Sequence, residues 1–320
     1  MRPLRVVLTG ATGFIGAAVL RELAGYRETP GTGGLAHLRV VGRRMPESAA
    51  DAVDQWVHAD LAEPGTLRGV CRDADVLLHM AGLIGPDEAR CAAVNVDGTA
   101  ALMDEAVRAG VRRIVHLSTT AVYGPGPHRG IAVDGAVRAP SSPASRTRLA
   151  GEAHALAAGA AVLRPGLVLG RGDRWVVPVL AELLDAVPAL WDGGRGMLSV
   201  VAVGDLARLI ARLGLGDAPT GRVWHAGHPD PVSTGELLGA LARHRVLPAV
   251  SRELSWEECL ERLRARPGRV SERQFALVAR DHWYDSREVW AAAGCPPGPG
   301  PLEGLAAAAS WYRTLLAAPA

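Results

Sequence analysis

Lysine is absent from this chain, so all 35 of its basic side chains are arginine. An arginine stays protonated, so the whole basic complement can bind or stabilise charge but cannot serve as an acid. Aromatics are scarce as well: two phenylalanines and four tyrosines (Tyr26, Tyr123, Tyr284, Tyr312) in 320 residues. Long apolar runs are missing, which argues against a membrane span. No signal-peptide pattern precedes the first strand, which starts by about Leu4, and a cytoplasmic protein is expected. Neither charge sign dominates: the net charge of +2 comes from interspersed residues, so no nucleic-acid partner is expected. The four cysteines, Cys71, Cys91, Cys259 and Cys295, show neither metal-ligand nor redox spacing. Reduced thiols and no metal site are expected.

With 48% apolar and 21% charged residues, the chain has the composition of a globular protein with a large core, in one or two coupled domains. Its most informative stretch is Val6-Val7-Leu8-Thr9-Gly10-Ala11-Thr12-Gly13-Phe14-Ile15-Gly16. Apolar β-formers run into a glycine-rich turn and then an amphipathic segment, so the order is strand, turn, helix. That order predicts a dinucleotide site. Gly10 permits the tight turn, Gly13 lets backbone approach a pyrophosphate, and Gly16 lets helix and strand pack closely. Thr12, Phe14 and Ile15 belong to the same cofactor-binding turn, whose helix N-terminus offers free N–H groups to phosphate.

A polar, Gly/Pro-rich loop is expected from Tyr26 to Gly34. The second strand, over 37–41, ends at Gly42-Arg43-Arg44, where an acidic residue would favour NAD. Two arginines there suit a 2′-phosphate, so NADPH is the expected cofactor. Further strands are expected over 56–58, 75–82, 113–117, 161–166, 198–203 and 222–226, with a helix over about 92–109. Such alternation predicts an α/β fold: a Rossmann-type doubly wound parallel sheet with a smaller C-terminal α/β substrate domain. The boundary is placed at 165/166, giving 1–165 for cofactor and 166–320 for substrate, with segments near 198–226 free to return to the sheet. Seven of the eight tryptophans lie after residue 170, and most of them are expected in the core.

Taken together, Thr9–Gly16, Asp60-Leu61, His79–Gly82, Asn95–Thr99, Val122-Tyr123-Gly124, Leu149–Glu152 and Leu163–Gly166 resemble the extended short-chain dehydrogenase/reductases. The resemblance spans nearly the whole chain. It implies that Asp60 and Leu61 hold the adenine and that Ala81 and Gly82 hold the middle of the cofactor. Asn95 would belong to the same set, with Pro165, Gly166 and Leu167 near the nicotinamide. Thr119 sits at the family's Ser/Thr position, four residues before Tyr123. The family's Tyr-x-x-x-Lys pair is missing: with Leu149-Ala150-Gly151-Glu152 in register, the Tyr position is Ala144 and the Lys position is Arg148.

The loss has a chemical cost. Hydride delivery to a ketone leaves an alkoxide, which the family's Tyr protonates, and losing one general acid typically costs about 10²–10⁴ in rate. Ala144 has no proton to give, and Arg148 can only hold ribose hydroxyls or stabilise charge. Thr119 and, more weakly, Ser118 remain as catalytic candidates, with Ser145 behind them. Three functions follow from these residues. One is an NADPH-dependent ketoreductase acting on a polycyclic aromatic ketone, in which a substrate phenol eases its own protonation. The motif loss is similar to that of atypical ketoreductases of angucyclinone polyketides in antibiotic biosynthesis. The second is a nucleotide-sugar reductase or epimerase, with Arg171, Arg174 and Arg195 available for a diphosphate. The third is a non-catalytic NADP(H)-binding protein. The oligomeric state is open in all three.

Overall fold

The computed structural model describes residues 3–28, 35–46, 50–266, 268 and 270–318. Seven parallel strands form the central sheet, in the order Val223–His225, Ala161–Arg164, Arg113–Leu117, Val76–His79, Leu4–Thr9, Leu35–Gly42, Gln55–His58. These short runs are rich in Val, Ile and Leu, as strands covered on both faces are. The helices Phe14–Glu28 and Val203–Leu215 share one core cluster with one face of the sheet. On the other face lie Gly98–Arg108 and Pro143–Ala157. The fold is therefore the Rossmann-type doubly wound α/β fold.

Strand order reverses between Leu4–Thr9 and Val76–His79, which are neighbours in register Val6↔Val76 to Thr9↔His79. Ligands of such sheets bind where this reversal opens a crevice beyond the carboxyl ends of the strands. The strand Val223–His225 lies beside Ala161–Arg164, so the chain rejoins the sheet after the helix Val203–Leu215. A second core, distinct from the sheet's own, gathers Leu169, Trp191, Phe275, Tyr312 and the helices Val176–Ala186 and Thr234–Arg243.

Several local expectations are corrected. The first helix runs on to Glu28, through Tyr26, and the remainder of the expected loop, 29–34, lies outside the described residues. The fourth strand ends at His79, so Met80–Gly82 extend past the sheet edge. The helix expected over 92–109 begins at Glu88, passes a π-turn over Ala93–Asp97 and continues as Gly98–Arg108. The strand expected over 198–203 is two pieces in different small sheets, Met197–Leu198 and Val200–Ala202. Trp175 is exposed, whereas Trp191, Trp224 and Trp290 are buried.

Candidate functional site

The crevice at the reversal is a cleft of about 350 Å³. Its floor is the glycine-rich turn. Gly10 has φ +75°, and a Cβ on it would come within 2.6 Å of the Ala81 backbone nitrogen on the neighbouring strand end. Only glycine fits there. Gly16 has the packing role expected of it, since a Cβ would strike the Gly10 carbonyl. This floor of bare backbone is the fit a dinucleotide's phosphates need.

The same cleft is lined by Thr12, Gly13, Arg43, Arg44, Asp60, Leu61, Ala81 and Gly82, so the fold brings these expected residues together. Arg43 and Arg44 are exposed at the end of the second strand. The Arg43 guanidinium stands 3.8 Å from the Asp60 carboxylate, whereas Arg44 has no ionic partner among the described residues. Phe14 and Ile15 do not line the cleft but pack, half-buried, against the sheet core. Arg90 does line it. Sequence reading missed it because it follows a Gly-Pro-Asp turn and belongs to no motif.

Asn95 sits behind the cleft wall. Its Oδ1 accepts from Leu83 N at 2.8 Å, and its Nδ2 donates to Leu83 O at 2.9 Å and to Thr147 Oγ1 at 3.0 Å. It pins the segment after Gly82 to the helix Pro143–Ala157. That helix starts with a capping box, in which Ser142 and Ser145 exchange hydrogen bonds, so the Ser145 hydroxyl serves the helix end.

Arg148 projects from this helix and donates to the Leu117 carbonyl at 2.7 Å. A Cβ on Gly82 would lie 3.8 Å from its Cζ, so the guanidinium reaches the middle of the expected cofactor path. Burial lowers its pKa to about 10, and it stays charged at neutral pH. Beneath it lies His79, fully buried, with Nδ1 2.8 Å from Thr9 Oγ1 and Nε2 3.2 Å from Thr99 Oγ1. Burial, and secondarily the Arg148 charge, lowers His79 to about 3.

Thr119 is half-exposed at the end of the strand Arg113–Leu117, and its hydroxyl accepts from Ala121 N at 3.2 Å. The oxygen caps a turn and its proton remains available. Ser118 is placed differently: it is buried, and its hydroxyl donates to Glu152 Oε1. Pro165–Leu167 follow the strand Ala161–Arg164 at the same sheet edge, with the Pro165 carbonyl accepting from Thr120 N at 3.0 Å. These three residues are not among those lining the cleft.

One buried network lies behind all of these segments. Arg164 donates to Glu152 through Nε at 2.9 Å and Nη2 at 2.5 Å, and through Nη1 to Tyr123 Oη at 2.7 Å. Tyr123 Oη also lies 2.9 Å from Val133 O and 2.7 Å from His225 Nε2. The charge inside an otherwise apolar strand was the sequence signal for this pair.

Tyr123 is committed to Arg164, and Tyr284 is buried and stacks on Tyr123. The Tyr312 hydroxyl accepts from Gly170 N and donates to Asp173. Tyr26 lies beneath Arg212, on the helix Phe14–Glu28.

Comparison with known proteins adds four findings. The family model described as NAD dependent epimerase/dehydratase matches residues 6–227. A dTDP-glucose 4,6-dehydratase of Actinoplanes sp. is 28% identical over 337 residues, covering 97% of this chain and 98% of its own. A 2-alkyl-3-oxoalkanoate reductase of Stenotrophomonas maltophilia is 26% identical, covering 94% and 97%. Among solved structures, the dTDP-glucose 4,6-dehydratase DesIV of Streptomyces venezuelae, with NAD bound, superposes with a TM-score of 0.72. It is 23% identical and covers 97% of each chain, a likeness of fold.

Proposed function

Because the chain belongs to the NAD dependent epimerase/dehydratase family, we propose that it is a nicotinamide-dependent oxidoreductase that reduces a ketone, drawing on NADPH and supplying no acid of its own. The cofactor supplies the hydride. The chain's residues bind and orient it: the Gly10 turn at the pyrophosphate, Asp60 and Leu61 at the adenine, Arg43 and Arg44 at the 2′-phosphate, Arg148 at the nicotinamide ribose. Holding donor and carbonyl in one geometry can itself contribute several kcal/mol, about 7–11 in the best cases.

The observation that carries this reading is the vacancy of the acid position. Ala144 stands there, and the hydroxyls of Tyr123 and Tyr312 are engaged elsewhere. An epimerase or dehydratase must first take a hydroxyl proton from its sugar, and no base stands at that position. Reduction runs the other way and needs only a proton, which a phenol beside the ketone can provide through an internal hydrogen bond. An aromatic polyketide ketone of angucyclinone type has that arrangement. Thr119 would polarise the carbonyl.

A nucleotide-sugar ketone is the second reading, and full-length similarity to a dTDP-glucose 4,6-dehydratase favours it. Arg171 and Arg174 are exposed, while Arg195 is paired with Asp192 at 3.0 Å. Assays of NADPH oxidation separate the readings. A polycyclic ketone with a neighbouring phenol should be reduced, and its methyl ether should turn over far more slowly while still binding. Thr119→Val should cost less than the ~10²–10⁴ of a lost acid. Reduction of a nucleotide 4-ketosugar alone would establish the second reading, and oxidation of NADPH by no ketone at all would mean a binding protein.

A further inference from the structure

Arg90 lines the cofactor cleft together with Gly10, Thr12, Gly13, Gly82 and Leu83, yet belongs to none of the motifs that define the cleft. It lies on the short helix Glu88–Ala92, exposed, and no acid neutralises it among the described residues. The nearby carboxylates are spoken for. Asp87 caps the helix by accepting from Arg90's own N–H at 3.1 Å, and Glu88 is held by Arg146 at 2.7 and 2.9 Å. Many other surface arginines have partners, for example Arg129 with Asp281, Arg264 with Glu272 and Arg287 with Asp285.

The arm that carries Arg90 is also fixed in place. Asn95 grips both backbone groups of Leu83, the Cys91 thiol rests 3.9 Å from the Leu83 carbonyl and 3.7 Å from that of Gly85, and Arg146 ties Glu88 to the helix Pro143–Ala157. An uncompensated guanidinium held on the wall of a cleft whose floor is bare glycine backbone calls for an anion between them. Arg43 and Arg44 stand instead at the end of the second strand.

We propose that Arg90 is a clamp on the cofactor's pyrophosphate, closing from the wall what the Gly10–Gly13 backbone holds from the floor. This rests on the reading of the cleft as a dinucleotide site, but not on a preference for NADPH. The pyrophosphate is common to both nicotinamide cofactors, and the 2′-phosphate is not, so the two arginine sets have separable signatures.

Calorimetric titration of the full chain with NADPH, NADH and 2′-AMP tests the assignment. Arg90→Ala should weaken NADPH and NADH by the same factor, about tenfold or more for a lost charge-assisted contact. It should leave 2′-AMP, which has no pyrophosphate, unchanged, and Arg90→Lys should recover part of the loss. Matching thermal melts without ligand would show that the fold is intact. A loss confined to NADPH would place Arg90 at the 2′-phosphate, and no loss would return it to solvent; either overturns the assignment. Wild-type protein that binds both cofactors equally would overturn the NADPH preference while leaving the Arg90 comparison decisive. Wild-type protein that binds neither would overturn both.

Discussion

Arg43 and Arg44 show how one side chain's surroundings alter what it is worth. Both line the cleft, but Arg43 has the Asp60 carboxylate 3.8 Å away and Arg44 has no such neighbour among the described residues. A phosphate competing with Asp60 gains less from Arg43 than from a free guanidinium. Removing both arginines should therefore erase a preference for NADPH over NADH, with Arg44→Ala alone removing more of it than Arg43→Ala. Fluorescence titration of both cofactors checks this, and equal single-variant losses would mean that Asp60 does not engage Arg43. At the same scale, Thr119 and Ser118 are adjacent in sequence but differ in placement. Just past the strand end, one is left half-exposed and the other is committed to Glu152. Both hydroxyls were visible in the sequence, and only the fold separated them.

Elements are held to one another here by polar contacts as well as by packing. The Glu152–Arg164 pair joins the helix Pro143–Ala157 to the strand Ala161–Arg164, and through Tyr123 it reaches the turn after Thr119. Both partners are almost fully buried. Breaking a buried pair by removing one partner leaves the other charge desolvated, which typically costs about 3–5 kcal/mol. Glu152→Ala should lower unfolding stability by about that amount in urea titration, and a change below about 1 kcal/mol would mean that water or another group replaces the carboxylate. Helix starts were more legible than the pair. Ser233-x-x-Glu236, Ser255-x-x-Glu258 and Ser271-x-x-Gln274 are all capping boxes in the structure. Those spacings stand in the sequence as local signals, because a cap involves only neighbours three residues apart. The π-turn at Ala93–Asp97 carries no such signal; it depends on Asn95 finding Leu83 and Thr147.

Across the whole molecule, three buried histidines set an acid limit. Burial first, and nearby positive charge next, lowers His79 to about 3 and His116 well below its usual value. Burial likewise lowers His225 to about 4. A group whose folded pKa is depressed contributes its full stability above its unfolded pKa, about 6.5 for histidine. As pH falls below that value the unfolded chain takes the proton first, so stability is lost down to about pH 4 for His225 and about pH 3 for His79. Each histidine contributes a slope of up to about 1.4 kcal/mol per pH unit. Unfolding titrations between pH 7 and 4.5 should show stability falling with pH, and His225→Gln should flatten part of that slope. An unchanged slope in that variant would mean that His225 is already protonated in the native state.

The sequence by itself determined the glycine-rich turn and the run of buried parallel strands, because each is a local pattern. A turn needing φ > 0 calls for glycine wherever it lies, and a strand covered on both faces must be apolar along its length. Tertiary structure decided everything that depends on residues far apart in the chain. It set Arg90 on the cleft wall, put Arg148 against Gly82, paired Arg164 with Glu152 and returned Val223–His225 to the sheet edge. Such contacts follow from how strands order themselves and how helices cross over them. No short window of sequence records that geometry.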